Sequence, residues 1–600
     1  MEPIRHDLRL SETVAPFGVG AIVDIRGESL IAPDTSWWDK RFAPVIYCKR
    51  LLDRVGGGEL RQAPSHAGIA AKETPGLTYW RFPAWRFCER CTKVSKLTGK
   101  NKGKWVNKCG CGGALVPMRY VAICEKGSHL QDIPWFMWTH RGHDSGVTDE
   151  VRFCKAYKEL RLVRSGKLGE GLKALTMHCN DCKRSRSLAE LVVERALTTD
   201  GIKCKGTQPW IDEQPAQPCR HRLVAVQRGA TGNYIAERLS ALDIPEETPR
   251  SEEIAANVRS HVYFDKVVAD SGGPQAQMVA GWIADEFGTT AEQVLAIAAG
   301  GRKAVTTPLL HLKDGEWAAF LKKLELGRDR TGDDFVVDGW QVEPRPTWPV
   351  ALTDRLVNLG QVQRVREVTA LLAFQRHNAA AERVKADLGP DRDRKPVYPA
   401  IEMFGEGIFL RFDESRMSAW EQLPEVRARA SILAARRAEL PWAARLDVPE
   451  PRFVALHTLS HLLIRRLAYD SGYSSASLQE RIYANSERSD RTAGILIYTA
   501  AGDAQGTLGG LVRLGQPESL IPLLIAALDE ADVCSNDPVC IESDRQGSSS
   551  LNLSACHGCS LVSETSCETG NRLLDRQLVL GGTGVPGFLG DVLDELRSKA

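Results

Sequence analysis

Cysteine spacing constrains this chain of 600 residues more than any other feature, because many of its sixteen cysteines fall in short pairs. Cys88-x2-Cys91 is followed, after seventeen residues, by Cys109-x-Cys111-Gly-Gly. Two such knuckles can present four thiolates to one ion, and zinc, a borderline-soft dication without geometric preference of its own, takes four sulfurs as a tetrahedron. The glycines after Cys109 and Cys111 let backbone amides turn toward the sulfurs. This spacing predicts a zinc-ribbon-like module.

Two further sets are expected. Cys179-x2-Cys182 with Cys204 and Cys219 makes a second four-thiolate site, with His178 and His221 as competing ligands. Near the C-terminus, Cys540, Cys556, Cys559 and Cys567 make a third; Cys534 is a fifth candidate, and Pro538 stiffens the approach to Cys540. Closed thiolate sites leave no position for substrate, so the expected cofactor is structural zinc, two to three ions, with no metal catalysis. Cys124 and His129 could form half a site, but only the isolated Cys48 and Cys154 remain to complete it. They read as buried thiols.

The first residues carry no apolar segment of signal-peptide length, and apolar runs such as Leu523 to Leu528 fall far short of the ~20 residues a bilayer needs. A cytoplasmic location is therefore expected, with no membrane partner. In a reducing compartment metal ligation accounts for paired cysteines better than disulfides do.

The 78 Lys+Arg nearly balance 76 Asp+Glu, so a nucleic-acid surface has to be a local patch. Such patches exist. Ten basic residues from Arg86 to Lys126 stand against Glu89 and Glu125, and ten from Arg152 to Arg186 against three acidic ones. Both stretches coincide with cysteine sets and include Lys100, Lys102, Lys104, Lys183, Arg184 and Arg186. Interleaved Trp80, Trp85, Phe87, Trp105 and Tyr120 could stack on bases, or could brace small zinc modules. The sign reverses from Ala236 to Ala299, where eleven acidic residues oppose four basic ones.

Apolar periodicity predicts helices over 276–299, 354–385 and 417–437, and a short strand over Ile408–Phe412. Searches for chemistry are negative. The sequence contains no G-x-x-x-x-G-K-[ST] loop. His457 and His461 have zincin spacing on a helical stretch, but Thr458 replaces the general-base Glu, so both are expected to pack or cap. His311-Leu-Lys313 lacks the aspartate of an H-x-K-x4-D box, with Ala318 in its place, and no Cys-x2-Cys follows proline as a zinc deaminase requires.

Two groups of motifs carry a resemblance. His457-Thr-Leu-Ser-His461, Gly472-Tyr-Ser-Ser-Ala-Ser-Leu-Gln-Glu-Arg-Ile-Tyr483, Gly506-Thr-Leu-Gly-Gly-Leu-Val512 and Cys556-His-Gly-Cys559 through Glu564-Thr-Ser-Cys567 resemble the zinc-binding domain of MrfA-type DNA-repair helicases over residues 450–580. Arg81-Phe-Pro-Ala-Trp85, Cys124-Glu-Lys-Gly-Ser-His129 and Arg228-Gly-Ala-Thr-Gly-Asn-Tyr234 look like the DrmB family of the DISARM antiphage system. In one departure, Gly127-Ser-His129 stands where that family reads Gly-His, and no role is assigned to His129.

The resemblance implies a helicase tail split from its motor, pairing with DrmA, a Swi/Snf-like helicase, as a DNA-binding core complex. The expected fold is mixed α/β and multi-domain, with zinc-ribbon-like modules and a C-terminal α/β zinc-binding domain. Its expected parts are an N-terminal α/β region (1–85), a basic region with two four-cysteine modules (86–230), a helical middle region (231–449), the zinc-binding domain (450–582) and a tail (583–600). The expected function is a non-catalytic DNA-binding scaffold with no small-molecule substrate. Its alternatives are a nuclease with carboxylates dispersed among Asp333, Asp334 and Glu343, or an assembly adaptor that never touches DNA.

Overall fold

The computed structural model describes residues 8–65, 76–97, 107–140, 154, 160–164, 171–211, 219–244, 254–255, 258–259, 261, 263–269, 273–287, 289–299, 312–326, 328–329, 334–377, 381–387, 395–486, 491–499, 509–547 and 549–599. Among these the architecture is mixed α/β. Its spine is a 10-stranded, largely antiparallel sheet built on two long strands, Leu356–Gln375 and Val397–Phe412, which pair along most of their length. Ile235–Asp243 and Phe335–Gln341 flank the first of these, and Gly494–Thr499 with Leu478–Tyr483 extends the sheet beyond the second.

The strand Leu356–Gln375 corrects the helix expected over 354–385. Its side chains are buried on both faces, with polar residues such as Gln361, Arg366 and Glu367 buried among apolar ones, so the period-two signal that marks a half-buried strand is lost. Valines at 357, 362, 365 and 368 favour the pleated surface over a helix. Gly360 sits where an added Cβ would press on Phe409 and Val337 of the flanking strands. The other expected elements are found: helices Pro274–Phe287, Ala291–Ala299, Glu414–Glu421 and Pro424–Glu439, and residues 408–412 as the end of a long strand.

Three small antiparallel sheets carry the cysteine knuckles. One places Trp85–Cys88 between Val94–Lys96 and Leu115–Pro117; a second places Tyr120–Cys124 between Leu130–Gln131 and Leu223–Gln227; a third runs Leu160–Arg164, Leu175–Cys179, Ser185–Ser187. All three share an apolar core with Trp135 and Trp138.

The largest core forms around the helix Pro451–Ser471, which starts at proline and ends at Gly472 with φ 74°, a left-handed position that glycine adopts without a Cβ clash. That helix is buried on nearly every side from Arg452 to Ile464. Strand residues such as Leu359 and Ile408, the helix Pro517–Asp532 and the terminal helix Gly590–Lys599 close around it. No helix among the described residues is long and apolar enough to cross a membrane.

Candidate metal centres

Four centres use knuckle cysteines. In the first, Cys88 ends a strand and Cys91, Cys109 and Cys111 follow in tight turns, with Cys88 Sγ 3.5 Å from Cys111 Sγ and Cys91 Sγ 3.6 Å from Cys109 Sγ. The Cys91 backbone N–H points at Cys88 Sγ, the stabilisation a thiolate takes. Gly113 is required because a Cβ there would lie 2.7 Å from Cys88 Sγ.

The second expected set is two separate centres. Cys204 and Cys219 converge on Cys124 and His129, whereas Cys179 and Cys182 converge on His140 and Cys154. The fold sends these cysteines to different sheets, and Cys124 and Cys154, expected to be buried thiols, and His129, given no role, are members of these clusters. In the first, Cys124 Sγ lies 3.8 Å from Cys219 Sγ and Cys204 Sγ 3.5 Å from His129 Nδ1, with backbone N–H groups of Gly127 and Gly206 directed at the sulfurs. Ser128, between Gly127 and His129, has φ 52° and donates through Oγ to the Glu382 carbonyl, which pins this turn beside the imidazole. A Cβ on Gly127 would lie 2.5 Å from the His129 ring.

The chemistry of this donor set fits a dication. A hydrogen bond from Cys204 draws the Cys124 thiol down, and the same contact pushes Cys204 up. Two thiols thus compete for one proton at a point where a metal would relieve both. In the neighbouring centre, His140 Nδ1 lies 2.7 Å from the Phe136 carbonyl one helical turn back, leaving its buried Nε2 without a hydrogen bond and available as a ligand.

The C-terminal centre is Cys534, Cys540, Cys556 and Cys559, with Sγ separations of 3.4 Å for 534–556, 3.9 Å for 540–559 and 3.7 Å for 556–559. Cys567, expected in this set, lies outside it: its Sγ is 3.2 Å from His457 Nε2, in a cluster with His461 and Glu480, and Cys534 takes its place. His178 and His221 are outside the clusters. His178 bonds Ser185, and His221 abuts Cys219 as an outer neighbour. Cys48 is a buried thiol pushed up to about 12 by burial.

Of the basic residues, Lys100, Lys102 and Lys104, together with Trp105, lie outside the described residues. Lys183 is exposed at the tip of a knuckle. Arg184 donates to the His140 carbonyl. Arg186 cannot serve as a phosphate ligand: it is 6% exposed, paired with Asp200 at 2.5 Å and stacked over Trp138 at 4.6 Å. Trp85 and Tyr120 are buried and brace their modules. The dispersed acidic residues do not form a described nuclease site: Asp334 pairs with Arg364 at 3.4 Å, Glu343 is exposed, and Asp333 lies outside the described residues.

Clusters of three or four thiolates on small sheets, beside a helical α/β core, define a multi-domain zinc-binding protein. Residues 9–235 match a domain of unknown function (DUF8724), and residues 459–560 match the MrfA Zn-binding domain, which contains the Cys534, Cys540, Cys556 and Cys559 centre. Over 596 residues the chain is 30% identical to the DISARM protein DrmB of Bacillus paralicheniformis, covering 93% of this chain and 97% of that one. The chain belongs to the DrmB family. Among solved structures, a crystal structure of the DUF1998 helicase MrfA bound to DNA aligns at 14% identity with a TM-score of 0.19, over 44% of this chain and 25% of that one.

Proposed function

We propose that this chain is a zinc-stabilised, non-catalytic DNA-binding and scaffolding subunit that docks a Swi/Snf-like helicase of the DrmA type in DISARM antiphage defence. The similarity to a DISARM protein along nearly the whole chain carries this reading. The metal clusters support it chemically, because four protein donors leave a dication no position for substrate or an activated water. The sequence holds no Walker A loop, so ATP hydrolysis would come from the partner.

DNA contact would be electrostatic. Lys183, on its knuckle, and the Lys100, Lys102 and Lys104 stretch would meet phosphates, releasing counterions as they bind. Binding of the full chain, alone and with its helicase, to a labelled duplex over a salt series tests this. We expect log affinity to fall linearly with log salt, by about 0.9 per phosphate contact. Affinity independent of salt, or magnesium-dependent cleavage of the duplex, overturns it.

A further inference from the structure

Behind the four-cysteine C-terminal centre, His457, His461, Glu480 and Cys567 turn four donor atoms toward one point, all within 4.8 Å of one another. The two imidazoles sit one turn apart on the helix Pro451–Ser471, the carboxylate comes from the strand Leu478–Tyr483, and the thiol comes from the loop after the knuckles. We propose that these residues hold a further divalent transition ion of the borderline class, in a closed mixed-donor site separate from the cysteine centre.

Three of the separations lie close to the edge length of a coordination tetrahedron. His457 Nε2 is 3.2 Å from Cys567 Sγ and 3.1 Å from Glu480 Oε1, and His461 Nε2 is 3.5 Å from Glu480 Oε1. Ligands bonded at about 2.0–2.3 Å to a tetrahedral ion stand roughly 3.3–3.8 Å apart. The rings are nearly perpendicular, at 86° with centroids 4.6 Å apart, so their Nε2 atoms converge from different directions.

The outer contacts fix each donor in its ligating form. His461 Nδ1 lies 2.9 Å from the Ser560 carbonyl and His457 Nδ1 3.3 Å from the Leu573 carbonyl. A carbonyl only accepts, so Nδ1 carries a proton in both rings, and Nε2 is the nitrogen left to give its lone pair to an ion. Cys567 Sγ accepts from the Asn571 backbone N–H at 3.2 Å, and Glu480 Oε1 from the Glu568 N–H at 3.2 Å, both suited to anions. A thiolate, a carboxylate and two neutral imidazoles sum to two negative charges, which one dication cancels.

Without an ion the cluster is costly. His461 Nε2 and Glu480 Oε2 are buried and make no hydrogen bond, so each keeps the desolvation penalty of an unpaired polar atom. His457 and His461 are 0% exposed and Glu480 is 2% exposed, so water does not compensate them. Four protein donors in that burial leave no substrate position, which makes the ion structural. It would tie helix, strand and loop together across 110 residues of sequence between His457 and Cys567.

The site also touches the cysteine centre. Ser560, whose carbonyl lies against His461, follows Cys559 and hydrogen-bonds its sulfur at 3.3 Å.

Elemental analysis of the full-length chain, reconstituted with excess zinc and desalted, tests the proposal together with zinc-edge X-ray absorption. We expect five ions per chain, with sulfur providing 15 of 20 metal-bound donors; four ions with sulfur at 14 of 16 overturns it. Cys567→Ala should hold one ion fewer than wild type while Cys567→His, which restores a donor, holds the full number. An ion count unchanged in Cys567→Ala and His461→Ala likewise overturns it. Should the variants not fold, the wild-type count and sulfur fraction decide, and neither depends on whether the chain binds DNA.

Discussion

Arg86 donates from Nη1 to Glu28 Oε1 at 3.0 Å, joining the N-terminal hairpin Ile22–Ile31 to the strand that ends in Cys88 of the first cysteine cluster. The arginine is 0% exposed and the glutamate 4%, and Arg81 approaches the same carboxylate at 3.6 Å. The first metal knuckle is thereby seated on the N-terminal sheet through a desolvated ion pair.

Removing one partner of such a pair leaves an uncompensated buried charge. Glu28→Ala is expected to destabilise the fold by about 3–5 kcal/mol, with the first zinc centre released at lower chelator concentration than in wild type. Denaturant unfolding, with zinc release followed by a chromogenic chelator, measures both. An unfolding midpoint equal to that of wild type contradicts the role given to this pair.

Splitting the middle cysteines between two centres has a stoichiometric consequence. Cys179→Ser and Cys204→Ser should each cost one zinc, and the double variant two, because the residues belong to different clusters. A double variant that loses only one ion would return them to a single site.

Two neighbouring basic residues should respond differently. Lys183→Ala should weaken DNA binding evenly across sequences and lower the salt slope by about 1. Arg186→Ala breaks the buried pair with Asp200 and should instead lower stability by about 3–5 kcal/mol. Salt-titrated binding and thermal melts of both variants separate the two effects.

The Asp132 carboxyl accepts from the backbone N–H of Ala84 at 3.0 Å, and burial pushes it up to about 6, against the opposing pull of Lys96 and these amides. An acid raised in the folded state binds more protons there than in the unfolded chain. Its contribution to stability is therefore complete below pH ~4 and is lost as pH rises through about 6. Relative to wild type, Asp132→Asn should gain stability on going from pH 5 to pH 7. Unfolding curves at the two pH values check this, and a constant difference refutes it.

Local motifs were legible and long-range ones were not. Cys88-x2-Cys91 and Cys109-x-Cys111 lie within one ribbon, so spacing names the same four cysteines that the fold brings together. The next two centres interleave: Cys124 and His129 wait for Cys204 and Cys219, while His140 and Cys154 meet Cys179 and Cys182 inside that interval. No spacing rule distinguishes such partners. A usable signal was present in Gly127, whose missing side chain makes room for the His129 ring, since it marks that turn as built around the imidazole. His457 and His461 were set aside because the zincin glutamate was missing, yet their carboxylate neighbour is Glu480 on a separate strand, which a helix motif cannot contain. The strand Leu356–Gln375 escaped because burial on both faces erased its alternation.

A scaffolding subunit that docks a helicase should copurify with that helicase. The most direct measurement is to tag the chain in its native host, purify it gently at natural abundance, and identify by mass spectrometry what co-elutes in stoichiometric amount. We expect a Swi/Snf-like helicase in the same peak, retained in low salt. A chain that elutes alone, or with unrelated enzymes, contradicts the claim.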